Sequence, residues 1–225
     1  MQYLIANWKT EITFAEIQIW TATFTKLISE NSSVNAAIEN KDLCIVVCPP
    51  YPFIAYVEEQ LQDIGVYVGS QDVSKKDQGK YTGEVTAQVL RRMVDFAIVG
   101  HSERRTNFKE TDEDIAEKIQ QCTANDIQPI LCIRGTEDKI PAESKIIAYE
   151  PVAAIGTGQN ADPASVVEMK KQLALAEDVS FLYGGSVKKE NIRSYHDTGE
   201  IQGYLVGSAS LDATNFCWLA LELIK

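Results

Sequence analysis

The chain has 225 residues, of which 45% are hydrophobic and 24% charged, a composition that excludes disordered and fibrous proteins and allows one sizeable core. The net charge is −11, from 21 basic and 32 acidic residues, which argues against nucleic acid or an anionic membrane as a partner. The five cysteines are scattered in apolar runs, as expected for reduced core thiols. There is no signal-peptide pattern and no apolar run of about 18 residues, so we expect a cytoplasmic protein.

Eight short apolar runs follow one another along the chain with helix-like stretches between them, a pattern that indicates a parallel sheet. They cover residues 3–6, 43–48, 66–70, 96–100, 129–133, 146–149, 180–183 and 203–206. Residues 111–126 begin with a sequence like a capping box, and residues 162–177 begin with Asp162 as N-cap followed by Pro163. Both stretches therefore predict amphipathic crossover helices.

Polar residues and glycines cluster directly after each run, where the functional residues of a (β/α)₈ barrel lie. Eight units without a linker or a break in composition predict one closed (β/α)₈ barrel, a single α/β domain over residues 1–225. The connection after the fifth run is unusual, because residues 134–145 contain a glycine, a proline and no apolar stripe. A crossover needs about a dozen residues, so we predict that the helix between strands five and six is missing or reduced to a short loop.

Glycine-rich segments follow the last three runs, GTG at 156–158, GGS at 184–186 and GS at 207–208. Glycine lets backbone N–H groups approach an anion, and barrel phosphate sites use the loops after strands seven and eight. Each glycine alone is explained as a turn, but the three segments together predict a phosphate site. Residues 156–161 also match a dinucleotide-binding pattern, which is a weak match because no acidic residue ends the next strand.

Two side chains have the positions expected of an acid–base pair. His101 follows the fourth run and begins a short helix, whose N-terminus disfavours the imidazolium and leaves a neutral ring. Glu150 follows the sixth run, so we expect it to act as a base in a partly desolvated barrel mouth, with a strand-end salt bridge as the alternative. Lys9 would supply a positive charge, and His196 is expected at the surface.

Nucleophilic, metal-dependent and cofactor chemistry find less support. The sequence has no GxSxG, HExxH or Walker A pattern, and two distant histidines do not build a His-rich metal site. Cys132 ends the fifth run, but without a second suitable histidine we interpret it as a core thiol. We therefore expect neither a metal nor an organic cofactor.

Eight motifs, spread over essentially the whole chain, resemble those of the triosephosphate isomerase family in order and spacing. They are NWK at 7–9, YTGE at 81–84, VGHSERR at 99–105, ILCI at 130–133, AYEPV at 148–152, AIGTG at 154–158, YGGSV at 183–187 and LVG at 205–207. The resemblance implies a TIM barrel and an intramolecular aldose–ketose isomerase that interconverts dihydroxyacetone phosphate and D-glyceraldehyde 3-phosphate in glycolysis and gluconeogenesis.

The resemblance also implies roles for the acid–base residues. Glu150 would move a proton between neighbouring carbons, while a neutral His101 would polarise the carbonyl and move protons between the two oxygens. Lys9 and Asn7 would stabilise the enediolate, and Glu103 would orient Lys9.

The same resemblance implies how the substrate is held. Residues 151–158 would form a lid that excludes water. Homodimers would form through the loop 72–84, whose Thr82 would reach the neighbouring active site. The phosphate would be bound by the backbone N–H groups of Gly156, Ser186, Gly207 and Ser208.

Four features depart from the family pattern. Ala153 replaces a tryptophan in the lid hinge, and Ser208 replaces the second glycine after strand eight. Asp72 replaces an asparagine and adds a negative charge near the expected dimer contact. The missing helix should leave apolar surface exposed beside residues 129–133, which another contact must then cover.

Two rival interpretations stay open. One is a non-catalytic phosphate-binding barrel of the same family, in which the altered lid and the missing helix have abolished turnover. The other is a barrel isomerase with a larger phosphorylated substrate. The presence of Glu150, His101 and Lys9 argues against the first, and the short lid argues against the second.

Overall fold

In a computed structural model, which describes residues 1–151 and 160–225, eight parallel strands close into a barrel. Each strand pairs with the next along the chain, and β8 pairs with β1. The predicted strands are confirmed, with ends that differ by one residue at β1, β3, β4 and β5. The strands are β1 (Gln2–Asn7), β2 (Leu43–Cys48), β3 (Tyr67–Ser70), β4 (Phe96–Val99), β5 (Gln128–Ile133), β6 (Ile146–Tyr149), β7 (Ser180–Tyr183) and β8 (Gly203–Val206).

Both faces of the strands are buried, which explains why each strand is an almost continuous apolar run. One face points into the barrel, where side chains such as Ile5, Val46 and Leu205 form the inner cluster. The other face packs against the helices, so that alternate residues such as Leu4 and Val47 belong to a larger outer cluster. The barrel is therefore a packed core, and its strand ends are fixed platforms for side chains.

Helices lie outside the barrel between the strands. The described ones are α1 (Phe14–Ser29), α2 (Ser32–Glu39), α3 (Ile54–Leu61), α4 (Ala87–Leu90), α5 (Ser102–Asn107), α6 (Asp112–Ala124), α7 (Pro163–Leu173), α8 (Ile192–His196) and α9 (Ala213–Leu223). Thr111 and Asp114 form the predicted capping box of α6. The helix predicted to reach residue 177 ends at Leu173, where Ala174 turns left-handed. Among these helices none has the length and apolar character needed to cross a membrane.

Residues 134–145 form turns and bends without a helix, which confirms the predicted loss of the fifth outer helix. The surface beside residues 129–133 is covered by another contact, as expected, because Leu131 and Ile133 on the outer face of β5 are fully buried. Ile140, from the connection itself, packs against the same outer cluster, and α6 lies against β5. The short connection and its neighbouring helix therefore cover the surface that the lost helix would have covered.

One buried carboxylate fixes this connection. Asp138 accepts hydrogen bonds from the Arg134 N–H (2.7 Å), Nε (3.0 Å) and Nη2 (2.5 Å). Nη1 of Arg105 lies 3.5 Å from Asp138 and 2.8 Å from Asp112. Burial raises the pKa of Asp138, but the Arg134 hydrogen bonds and the Arg105 charge outweigh burial and lower it overall. Ion pairs thus replace part of the helix packing at this position.

Candidate active site

A pocket of about 300 Å³ opens at the C-terminal ends of the strands. It brings together residues predicted for the site from β1 and from the loops after β4, β6, β7 and β8. They are Asn7, Lys9, His101, Glu150, Ser186, Gly207 and Ser208. Glu103 reaches the site through its ion pair with Lys9. Residues 152–158 of the predicted lid, with Ala153 and Gly156, lie outside the described residues.

Lys9 follows β1 in a left-handed conformation, with φ of 49°. The Lys9 N–H donates to Asn7 Oδ1 (3.1 Å), and Gln71 Nε2 donates to the Lys9 carbonyl oxygen (2.8 Å). The ammonium forms an ion pair with the Glu103 carboxylate. Left-handed backbone is unfavourable for a residue with a side chain, so it persists only where surrounding contacts impose it. These contacts direct the Lys9 ammonium into the pocket.

His101 precedes α5, and both of its ring nitrogens have partners. Nδ1 accepts a hydrogen bond from the Glu103 N–H (3.2 Å), and Nε2 lies 2.8 Å from Glu150 Oε1. A nitrogen that accepts carries no proton, so these partners assign a neutral ring with its proton on Nε2. The Nε2–H group is therefore the donor that faces the pocket.

The pKa of His101 corrects one expectation from the sequence. Burial is the largest single influence and lowers the pKa of His101, but the charge and hydrogen bond of Glu150, together with the charge of Glu103, raise it by more, and the net pKa shift is upward. The start of α5 therefore does not decide the charge of the ring while Glu150 touches it. Burial by itself favours the neutral imidazole that the hydrogen bond at Nδ1 indicates.

Glu150 follows β6, and its side chain is 2% exposed. Its Oε2 accepts a hydrogen bond from the Ser102 N–H (2.8 Å), and its own N–H donates to the Ile133 carbonyl oxygen (2.8 Å). A Cβ on Gly184 would lie 3.0 Å from Glu150 Cγ, which explains why a glycine follows β7. The carboxylate is therefore buried, hydrogen-bonded and held next to the imidazole.

The loops after β7 and β8 line the same pocket with residues 184–188 and 207–209. Asn191 Nδ2 donates to the Ser186 carbonyl oxygen (2.8 Å) and so fixes the first loop. In the second loop, Gly207 precedes a 3₁₀ turn (Ser208–Ser210). Ser208 is not left-handed, so a serine replaces the glycine of the family pattern without backbone strain. Short turns of this kind direct successive backbone N–H groups to one side, an arrangement that suits an anion.

Sequence reasoning missed two supporting contacts. Gln71 Nε2 donates to both the Lys9 and the Cys48 carbonyl oxygens, at 2.8 and 2.9 Å, and so ties the ends of β1 and β2 together. Gln71 follows β3 directly, so the rule that site residues follow strands is a signal for it. Ser102 binds Glu150 through its backbone N–H, a group that every residue except proline has, so its side-chain identity gives no signal.

Three other expectations have definite outcomes. Asp72 is buried, with Lys118 Nζ at 2.6 Å and Arg104 Nε at 2.9 Å, so its negative charge is balanced within the chain. His196 is half-buried, not a surface residue. Cys132 is fully buried in the inner cluster, where burial raises the pKa of its thiol, as expected for a core residue.

Comparisons with known proteins identify the family. The family model described as triosephosphate isomerase matches residues 2–223. A triosephosphate isomerase of Hahella chejuensis is 35% identical over 236 residues, which cover 85% of this chain and 95% of that protein. One of Mesomycoplasma hyorhinis is 34% identical over 95% of each chain. One of Coxiella burnetii is 37% identical over 76% of this chain and 81% of its own. The chain therefore belongs to the triosephosphate isomerase family and is an isomerase.

Proposed function

We propose that this chain interconverts dihydroxyacetone phosphate and D-glyceraldehyde 3-phosphate in the 300 Å³ pocket, without a metal or an organic cofactor. One observation carries the proposal: Glu150, His101, Lys9 and Asn7 line one pocket together with the turns at 184–186 and 207–208. A base, a hydrogen-bond donor and a cation thus face one end of a small substrate. Backbone N–H groups face its phosphate.

The contacts of Glu150 define the first event. Its carboxylate accepts hydrogen bonds from His101 Nε2–H and from the Ser102 N–H, at 2.8 Å each. A substrate carbonyl that accepts the hydrogen bond from His101 would displace Glu150 Oε1 from the ring. The released carboxylate then removes a proton from the carbon next to the carbonyl, and a buried carboxylate is a stronger base than an exposed one.

Charge and protons balance in this scheme without any other reactant. Glu150 takes the proton from one carbon, and His101 Nε2–H stabilises and protonates the oxygen that becomes negative. His101 then recovers a proton from the neighbouring oxygen, and Glu150 returns its proton to the neighbouring carbon. Lys9, held by Glu103, and Asn7 stabilise the enediolate in between.

The phosphate end must attract an anion to a protein with a net charge of −11. Lys9 supplies a local positive charge at the pocket, and a Cβ on Gly207 would lie 3.7 Å from Lys9 Cε, so the ammonium stem passes beside the β8 loop. We assign phosphate binding to backbone N–H groups of Ser186, Gly207 and Ser208. Gly156 is a further proposed contact, by resemblance alone.

We also propose a homodimer through the loop 72–84 and a cytoplasmic location. The dimer is supported by a second cavity, of about 500 Å³, that adjoins the site and is lined by Lys9, His101 and Glu103. The apolar ring of Phe108, 67% exposed, lies in the same cavity. A second copy of the loop, with Tyr81 exposed near its tip, would cover this ring. Mass in solution at two protein concentrations tests the dimer, and a monomer at both would contradict it.

The test of the function is turnover of D-glyceraldehyde 3-phosphate by the purified chain. Glu150→Gln should lower kcat by about 1,000-fold, since it removes the base but keeps the shape of the side chain. The exposed Glu177→Gln is the matched control and should leave kcat unchanged. Full activity of Glu150→Gln would contradict the mechanism.

The same preparation separates the rival interpretations. Binding of inorganic phosphate without turnover would favour a non-catalytic barrel. Failure to bind two-carbon phosphate analogues would favour a larger substrate.

A further inference from the structure

Two buried tyrosines lie beneath the loop after β7. Tyr183 is the last residue of β7, and Tyr195 lies in α8; neither is exposed. Their rings are stacked, with centroids 4.5 Å apart and planes 26° apart. Aromatic rings in this arrangement restrict each other's rotation, so the position of one hydroxyl depends on the other ring.

The two hydroxyls bind the backbone of a single residue. The Ala161 N–H donates to the Tyr183 hydroxyl (3.0 Å), while the Tyr195 hydroxyl donates to the Ala161 carbonyl oxygen (2.5 Å). Asn160 Nδ2 donates to Tyr195 (3.2 Å), and the two hydroxyl oxygens are 3.4 Å apart. Burial raises the pKa of Tyr183, so its hydroxyl stays protonated at neutral pH. The pair therefore satisfies both backbone groups of Ala161.

The Tyr183 hydroxyl also lies directly against the loop at the phosphate end of the pocket. A Cβ on Gly185 would lie 2.1 Å from the Tyr183 hydroxyl oxygen, a distance that no side chain tolerates. Gly185 and Ser186 both line the 300 Å³ pocket. The Gly185 backbone therefore packs closely against the Tyr183 hydroxyl.

We propose that Tyr195 is a positioning residue for substrate phosphate. It does not line the pocket. It fixes Tyr183 through ring stacking and through their shared contact with Ala161, and Tyr183 in turn supports the loop 184–186. The inference rests on the proposed phosphate site and adds to it a residue that acts from the outer layer of the barrel.

The test is Tyr195→Phe, which removes one hydroxyl and keeps the stacked ring. The KM for D-glyceraldehyde 3-phosphate and the Ki for inorganic phosphate should both rise about fivefold, the effect of one lost hydrogen bond, while kcat stays within about twofold. The matched control is Tyr204→Phe. Tyr204 is equally buried in β8, and its hydroxyl has no hydrogen-bond partner within residues 1–151 and 160–225. This control should leave both constants unchanged.

A second measurement tests whether the two tyrosines act together. Tyr183→Phe should raise the same two constants, and the double variant should show less than the product of the two single effects, because both hydroxyls hold the same residue. Unchanged KM and Ki in Tyr195→Phe, with only a lower Tm, would overturn the inference and leave Tyr195 a structural residue. Lack of inhibition of the unmodified chain by inorganic phosphate would instead overturn the phosphate site, and the inference with it.

Discussion

The connection after β5 departs from the regular (β/α)₈ pattern, whereas the mouth of the barrel keeps the expected residues. Residues 134–145 have lost their helix, and turns, Ile140 and the ion pairs of Asp138 take its place. At the mouth, the side chains that follow β1, β4 and β6 still converge on one pocket. The pocket is lined by residues at the ends of strands and in the loops after them, and none of its lining residues belongs to the connection 134–145.

The two regions also differ in what holds them. Leu131 and Ile133, on the outer face of β5, are fully buried in the outer apolar cluster. The connection itself is held by the Asp138 carboxylate, which forms ion pairs with Arg134 and Arg105. Removal of this carboxylate would take one acidic partner from each arginine. Substitutions in the two regions should therefore separate activity from stability.

Among the substitutions that compare the two regions, Glu150→Asp at the mouth should have the largest effect. The shorter side chain withdraws the carboxylate by one methylene group, and kcat should fall about 100-fold because a misplaced base loses its alignment with the reacting carbon. The Tm should change little, since charge and hydrogen-bonding capacity are kept. Steady-state kinetics and thermal unfolding measure both quantities. A variant with full kcat would remove Glu150 from the mechanism.

Asp138→Ala should have a smaller effect, which lowers stability and leaves activity nearly unchanged. Loss of this buried carboxylate should lower the free energy of unfolding by about 2 kcal/mol, less than for a fully enclosed pair because Arg134 reaches solvent. Urea unfolding measures it, with the exposed Glu143→Ala as control. The kcat/KM at 25 °C should stay within about threefold. A large loss of activity in a folded variant would contradict this separation of stability from activity, because it would show that the connection contributes to the site.

The contribution of Asp138 to stability should also depend on pH. The folded pKa of Asp138 lies below its unfolded value of about 3.9, so its stabilisation is fully present above that pH and is lost as the pH falls through the folded pKa. The difference in unfolding free energy between the unmodified chain and Asp138→Asn should therefore be constant from pH 5 to 7 and shrink below about pH 4. A constant difference down to pH 2 would contradict this assignment.

The smallest effect is expected for Asp72→Asn. Burial raises the pKa of Asp72 despite Lys118 and Arg104, so its stabilising contribution is greatest below about pH 3.9 and is lost as the pH rises through the folded pKa. Each cation keeps Glu110 as a partner in the variant. At pH 7 the variant should therefore be as stable as the unmodified chain, or up to about 1 kcal/mol more stable. A loss above about 2 kcal/mol would show that the carboxylate is needed.

The sequence predicted the strands and the residues at their ends better than it predicted the contacts made by the connecting segments. Each strand is buried on both faces and so reads as an apolar run, and the residue after such a run, such as Glu150 or His101, lies at the barrel mouth. Ile140 lies in a stretch without an apolar stripe and gives no periodic signal, so the sequence did not predict which residue covers β5. The burial of Asp138 depends on Arg105, which is distant in sequence. The pKa of His101 depends on Glu150, which the sequence does not place within contact.

The five cysteines divide between the two layers of the molecule. Cys44, Cys48 and Cys132 belong to the inner cluster, while Cys122 and Cys217 belong to the outer one, and all are buried. Burial raises the pKa of every one of them, to about 12 for Cys44 and Cys122. An alkylating reagent should therefore react much faster with chains that have opened than with folded ones. Mapping which thiols are labelled first would report, without any added probe, whether the outer shell loosens before the barrel itself comes apart.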